Sequence, residues 1–348
     1  MKIKSVAVII FAVGILFSCT KNYQSRIINT IAIEGIKMDS ASIRAIDVLK
    51  DSTLIFATSN GLVGMVYKFK NEPLTIEAQF DTITPHFRSI ASNGEYTFAL
   101  SIGNPALLYK LNDGNLELVY KEEHEKVFYD AMTFFDNQNG IAMGDPTDGC
   151  LSVIITKDGG NTWNKLSCEA LPPLEEGEAA FAASNTNIAT IGSNAWIVTG
   201  GKRARVFHTS DMGKTWEVYN TPIIEGETMT GIYSVDFFDA KNGIIMGGDW
   251  NKKESNLSNK AITNDGGKTW QLIADGKEPG YKSCVQYVPN TEGKELFAVG
   301  STGISFSNDS GTTWKEVSNE KGYYTIKFVN KNIAWLAGKE KIGKLILE

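Results

Sequence analysis

The chain has 348 residues, of which 42% are hydrophobic and 21% charged, and its formal net charge is −6. That length and composition suffice for a large buried core. The acidic balance excludes generic nucleic-acid binding, which needs a basic surface against phosphate.

The first element in the chain is an export signal. Lys2 and Lys4 precede an apolar run from Val6 to Phe17, about the length of a signal core and too short to span a bilayer. The run ends in Leu16-Phe17-Ser18-Cys19, which resembles the bacterial lipobox. This predicts a lipoprotein signal peptide over 1–18, lipidation at Cys19 and a linker over 19–26. A plain signal peptide with a coincidental cysteine is the alternative. The expected location is a bacterial cell envelope, with the protein lipid-anchored and facing the periplasm.

Short strands then follow one another to the end of the chain. Candidate inner strands start near Arg44, Arg88, Asp130, Glu178, Tyr233, Lys282 and Tyr324. The unit is clearest after Asp130. Ala131–Phe134 alternates, Asp136–Gly140 turns, Ile141–Met143 is apolar, Gly144-Asp145-Pro146 turns, and Leu151–Thr156 leads into a Gly-rich hairpin. Four segments share the pattern Ser/Thr-x-Asp-x-Gly-x-Thr-Trp, at 156–163, 209–216, 263–270 and 307–314. The last unit has only three strands, and Ile27–Ile36 can supply its fourth. The reading is all-β: a single seven-bladed β-propeller over 27–348, with four-stranded antiparallel blades and the last blade closed by the N-terminal strand.

The repeated octad has a structural explanation. Asp158, Asp211, Asp265 and Asp309 can accept bonds from the backbone of their own turns, while the Gly takes a positive φ. Trp163, Trp216, Trp270 and Trp314 then begin the next strand and pack between sheets. One carboxylate per turn supplies too few oxygens for calcium. His86, His124 and His208 fall in different units, so no metal or cofactor is expected. Cys150, Cys168 and Cys284 form no framework of paired cysteines. Cys150 and Cys168 flank one predicted hairpin, where one register permits a disulfide and the adjacent register forbids it.

Strand parity puts the inner-strand starts and the second-to-third turns on one face of the propeller. The candidate ligand-binding residues there are Arg44, Arg88, Tyr129, Asp130, Asp145 and Glu178 from the first half. Arg203, Arg205, Tyr233, Asp249, Trp250, Lys282 and Tyr324 complete the set. Of five arginines in the chain, four map to this face. Guanidinium groups at an aromatic-rimmed concavity suit a carboxylate or an extended peptide. The bland alternative is that these charges pair with one another and merely solvate the channel.

Several segments carry a family likeness. The octads resemble the Asp-box, or bacterial neuraminidase, repeat. Phe128–Met132, Gly144-Asp145-Pro146, Gly177–Ala183, Thr199-Gly200-Gly201 and Gly247-Gly248-Asp249 resemble the photosystem II stability/assembly-factor-like propellers, in a non-photosynthetic lipoprotein form. That resemblance implies a non-enzymatic binding role, as a monomer that engages an envelope protein or peptide. The membrane is then reached through the anchor at Cys19. The alternative is a sialidase-like or other glycoside hydrolase using Asp130 and Glu178, although the Arg-Ile-Pro signature of sialidases is missing. No dinucleotide fingerprint or redox-centre ligand set supports an oxidoreductase.

Overall fold

The computed structural model describes residues 23–67 and 70–347, so the expected leader and the Cys19 anchor lie outside the described residues. Strands pair antiparallel throughout, and their innermost members contact one another around a closed ring. Second strands such as Leu54–Thr58, Thr97–Ser101, Gly140–Gly144 and Leu296–Gly300 are buried along their whole length. They lie between the faces of adjacent sheets, which is why they read as unbroken apolar runs. Outer strands such as Asn115–Glu122 meet water along their length.

The expectation of seven blades is corrected: the strands form six hydrogen-bonded sheets. Four are four-stranded and two are six-stranded. The cause is the strand Ala32–Val48, 17 residues long, which is irregular between Lys37 and Ser42, with Ser40 at φ 58°, yet carries on from one pairing to the other. Its first part pairs with Ile333–Ile346, and its last part, from Ile43, pairs with Leu54–Thr58. The strands assigned to a first and a last blade are thereby one six-stranded sheet. The amino end begins pairing at Ala32, whereas Tyr23 and Arg26, expected in a linker, are hydrogen-bonded to Glu295.

A second departure lies at Glu178. The expected inner strand there is only the pair Glu178–Ala179, bonded to Gly200–Gly201, and through Gly200 it joins the sheet of Thr230–Phe237. The strand that belongs with Asn194–Val198 starts later, at Ile188. Between Ala179 and Ile188 the chain forms no strand and crosses the central channel, meeting the sheets again where Thr186 O and Asn187 O accept the Val235 and Val198 amides.

The four repeated turns are built alike. In each, the Asp carboxylate accepts the backbone N–H and the hydroxyl of the Thr four residues on, at 2.6–2.9 Å. The preceding Thr or Ser hydroxyl also donates to it, at 2.8–2.9 Å. The shared glycine of each turn (Gly160, Gly213, Gly267 and Gly311) has a φ of 86–88°. Burial alone would raise the Asp211 carboxyl, but the Thr215 donors overcome this and hold it at about 2. Each Trp packs on the preceding sheet: Trp163 lies edge-on to Phe98 at 6.2 Å, and Trp270 joins Trp196 and Val198. Replacing Asp265 with Ala removes three bonds from a half-exposed turn. The expected loss is about 1–2 kcal/mol, read as a lower urea midpoint at unchanged slope.

Cys150 and Cys168 are bridged, with Cα atoms 5.5 Å apart. Cys168 lies in a short 3-10 turn, Cys168–Ala170, rather than on a strand facing Cys150. Cys284 is free and buried.

Candidate functional site

The crossing segment Ala180–Asn187 organises the channel. Only small side chains can pass a narrow axis, and Ala180, Ala182, Ala183 and Ser184 meet that need. Its polar groups tie it to sheets on every side. Ser184 Oγ donates to Ser283 O at 2.6 Å, and Ser184 O accepts Thr325 Oγ1 at 3.0 Å. Asn185 accepts the Met132 amide at 3.0 Å and donates to Ile90 O at 2.8 Å, with its backbone at φ 59°. Thr186 and Ser234 share a hydroxyl bond of 2.7 Å.

Two arginines close on this segment. Arg44 Nη1 donates to Ala183 O, and Arg88 Nη1 to Ala182 O, both at 2.8 Å. The Arg44 guanidinium stacks on Tyr324, 3.8 Å from the ring centroid. Arg88 Nε donates to His86 Nε2 at 2.9 Å. Burial, then the adjacent Arg44 charge, brings Arg88 down to about 10, and burial also lowers Arg44. His86 falls to about 4 through burial and the charges of Arg88 and Arg44, so it is neutral and can accept that bond. Among the described residues, neither Arg44 nor Arg88 has a carboxylate within ion-pair distance, and Arg44 Nε is buried without a partner.

Aromatic rings complete this mouth. Phe181, from the crossing segment, stacks on Tyr233 with centroids 4.0 Å apart, and Tyr281 meets Tyr233 edge-on at 4.7 Å. Beneath them Asp130 is fully buried, and both its oxygens lack a hydrogen-bond partner. The Asp145 amide beside it is committed to Phe128 O at 2.8 Å. Burial, then the Asp145 charge, lifts the Asp130 carboxyl well above its ordinary range, against the pull of Arg88. Asp145 itself is raised to about 6 by burial, although it accepts the Ala180 amide at 2.9 Å. A carboxyl raised in the fold stabilises it fully below 3.8, its ordinary value, and loses that contribution as pH rises through about 6. Asp145→Asn is therefore expected to gain about 1–3 kcal/mol over the parent at pH 8. The two should converge at pH 4, as thermal melts across pH would reveal.

The other sequence-predicted residues are engaged elsewhere. Arg205 and Glu178 form a buried fork, with Nη2–Oε2 at 2.5 Å and Nε–Oε1 at 3.0 Å. Glu178 also takes Thr199 Oγ1 at 2.6 Å and the Glu175 amide at 3.0 Å. Both its oxygens are occupied, so it is unavailable as a hydrolase carboxylate. Arg203 pairs with Glu225 at 2.9 Å. Tyr129 turns between sheets to donate to Glu122 at 2.7 Å. Asp249 caps the Asn251 amide at 2.8 Å, and Lys282 is buried against Thr302 and Gly303 O. Trp250 is 44% exposed, with Lys253 Nζ 4.6 Å from its ring centroid. The structure thus gathers Arg44, Arg88, Asp130, Asp145, Tyr233 and Tyr324, keeps Asp249 within electrostatic reach of Tyr233, and engages the others in separate pairs. Sequence reasoning missed His86 and the carbonyls of Ala182 and Ala183. The signal for the latter was the alanine-rich run after Gly177, read there as an ordinary inner strand.

With the geometry in place, comparisons with known proteins fall into two kinds. No protein-family model matches the chain. One curated relative, the chloroplastic photosystem II stability/assembly factor HCF136 of Oryza sativa subsp. japonica, is 36% identical over 78 residues. That match spans 21% of this chain and 17% of the relative's length. Among solved structures, YCF48 bound to D1 peptide superposes with a TM-score of 0.67 at 14% identity. The match covers 92% of this chain and 98% of that one. YCF48 from Cyanidioschyzon merolae gives a TM-score of 0.62 at 14% identity, over 91% of this chain and 98% of its own. At those identities the likeness establishes the propeller fold.

Proposed function

We propose that the chain is a non-enzymatic, assembly-factor-like binding protein that takes a carboxylate-bearing protein or peptide segment at the Arg44/Arg88 mouth. The observation that carries this is the pairing census. Arg26, Arg203 and Arg205 each hold a carboxylate, whereas Arg44 and Arg88 sit side by side, partly desolvated, with none within ion-pair distance among the described residues; Asp130, which acts on Arg88, is itself pushed towards its neutral form by burial. Bringing two cations out of water without a counter-ion is costly. A ligand carboxylate removes that cost, and the five N–H donors of a guanidinium leave several free after the bonds to Ala182 and Ala183. Tyr324 and Phe181, both part-exposed, offer the apolar area that a charged group alone lacks, backed by the buried Tyr233 and Tyr281. The solved YCF48 with a D1 peptide, and the local likeness to HCF136, support a peptide as the ligand class.

The setting belongs to the same proposal. A lipid anchor at Cys19 tethers a monomeric propeller with Asp-box turns to a bacterial envelope membrane, facing the periplasm. Its partner is there an envelope protein. Fluorescence anisotropy with a labelled decapeptide ending in Phe-Ala and a free carboxylate tests the mouth. Saturable binding is expected, weakened about 100-fold in the double variant Arg44→Gln/Arg88→Gln. Equal binding by parent and double variant would remove the proposal.

A further inference from the structure

The pole opposite the arginine mouth carries a depression that none of the chemistry above uses. A cavity of about 630 Å³ opens between the turns 47–51, 92–95 and 134–137. Asp47 is shared between its wall and that of a polar cavity of about 130 Å³ at the far end of the channel. Asp236, Phe237, Gln286 and Lys327 are common to that cavity and to a third, of about 470 Å³, beside residues 286–293. Shared wall residues set the three cavities side by side across the face, and together they are called the trough.

Its chemistry is the reverse of the mouth's. Six carboxylates line it (Asp47, Asp51, Glu95, Asp136, Asp236 and Glu292) against two ammonium groups, Lys50 and Lys327. Lys327 is already paired with Asp47 at 3.4 Å, and Glu292 has Lys294 at 3.9 Å. Among the described residues, Asp51, Glu95, Asp136 and Asp236 have no cation within ion-pair distance. Aromatic surface stands at both ends: Phe134 lines one cavity, and Phe238, 41% exposed and edge-on to Tyr287 at 5.1 Å, lines the other.

We infer that this trough is a second docking surface, for an extended, lysine- or arginine-bearing segment of a partner protein. Spaced carboxylates along a narrow depression match cationic side chains carried by an extended chain. The exposed Phe238 ring takes the aliphatic stem of such a side chain and its cationic head. The inference stands independently of the mouth, because the two surfaces lie at opposite poles and select opposite charges.

The probe is a fluorescein-labelled peptide of four Gly-Lys-Ala repeats, with a Gly-Glu-Ala counterpart and an amidated terminus on both. The basic peptide is expected to bind the full chain and the acidic one not to bind. Affinity should fall at least tenfold between 50 and 300 mM salt. Asp51→Lys/Glu95→Lys, both at exposed positions, is expected to cost at least tenfold, and Phe238→Ala about threefold. Arg44→Gln/Arg88→Gln should leave basic-peptide binding unchanged, which separates failure here from failure at the mouth. Equal binding of the two peptides, or indifference to Asp51→Lys/Glu95→Lys, would overturn the inference. So would a concentration-dependent dimer abolished by Phe238→Ala, since the trough would then hold a second copy of this chain.

Discussion

Arg205→Ala is expected to lower the unfolding free energy by about 3–5 kcal/mol, because it strands a buried carboxylate. Glu178 is 2% exposed, and its oxygens are held by Arg205 Nε and Nη2, Thr199 Oγ1 and the Glu175 amide. Without the guanidinium, the two remaining donors cannot offset a negative charge at that depth. Arg205 Nη2 also donates to Pro173 O at 2.9 Å, so the loop before Glu178 loosens with it. Removing both charges is a different experiment. Glu178→Leu/Arg205→Met exchanges the ion pair for apolar volume and is expected to recover most of the loss. Urea unfolding of the parent, the single variant and the pair separates these outcomes. A single variant within about 1 kcal/mol of the parent would mean that water reaches Glu178.

Asn185→Ala is expected to cost about 3 kcal/mol, from two lost bonds and a left-handed backbone imposed on alanine. Asn185 joins Met132 N on one sheet to Ile90 O on another, from the middle of the crossing segment. Asn185→Gly keeps the φ of 59° accessible while deleting the same bonds. It should therefore be the milder change, by about 1 kcal/mol. Both variants loosen the segment whose carbonyls hold Arg44 and Arg88, so carboxylate-peptide affinity should fall alongside stability. Intact affinity in a destabilised Asn185→Ala protein would show that the mouth does not depend on the crossing segment.

Much of this architecture was legible in the sequence, for physical reasons that can be named. The octads fix hairpins by local chemistry, since Asp158 and its three counterparts bond within eight residues. Unbroken apolar runs such as Leu296–Gly300 announce strands buried on both faces. Sheet membership was not legible, because it turns on whether a strand such as Ala32–Val48 bends or runs on. No local residue signals that choice. The site was legible in part. Arg44, Arg88 and Tyr324 come together at the starts of inner strands, each at a bulge where the pairing register slips. Glu178, Arg203 and Arg205 are instead held in ion pairs. Their segments leave the sheet or end at turns, and long side chains then find partners that parity does not encode. The crossing segment replaced an expected strand because small residues permit either use.

Everything proposed for the mouth depends on its two guanidiniums meeting a negative charge brought by the ligand. A calorimetric double-mutant cycle measures this directly, pairing Arg44→Gln in the chain with amidation of the Phe-Ala decapeptide's terminal carboxylate. Removal of either partner is expected to weaken binding, and removal of both to cost little more than one. The coupling energy should then be about 1.5–3 kcal/mol, as for hydrogen bonds to a charged group. Additive losses, or an amidated peptide that binds as tightly as the free acid, would contradict the account.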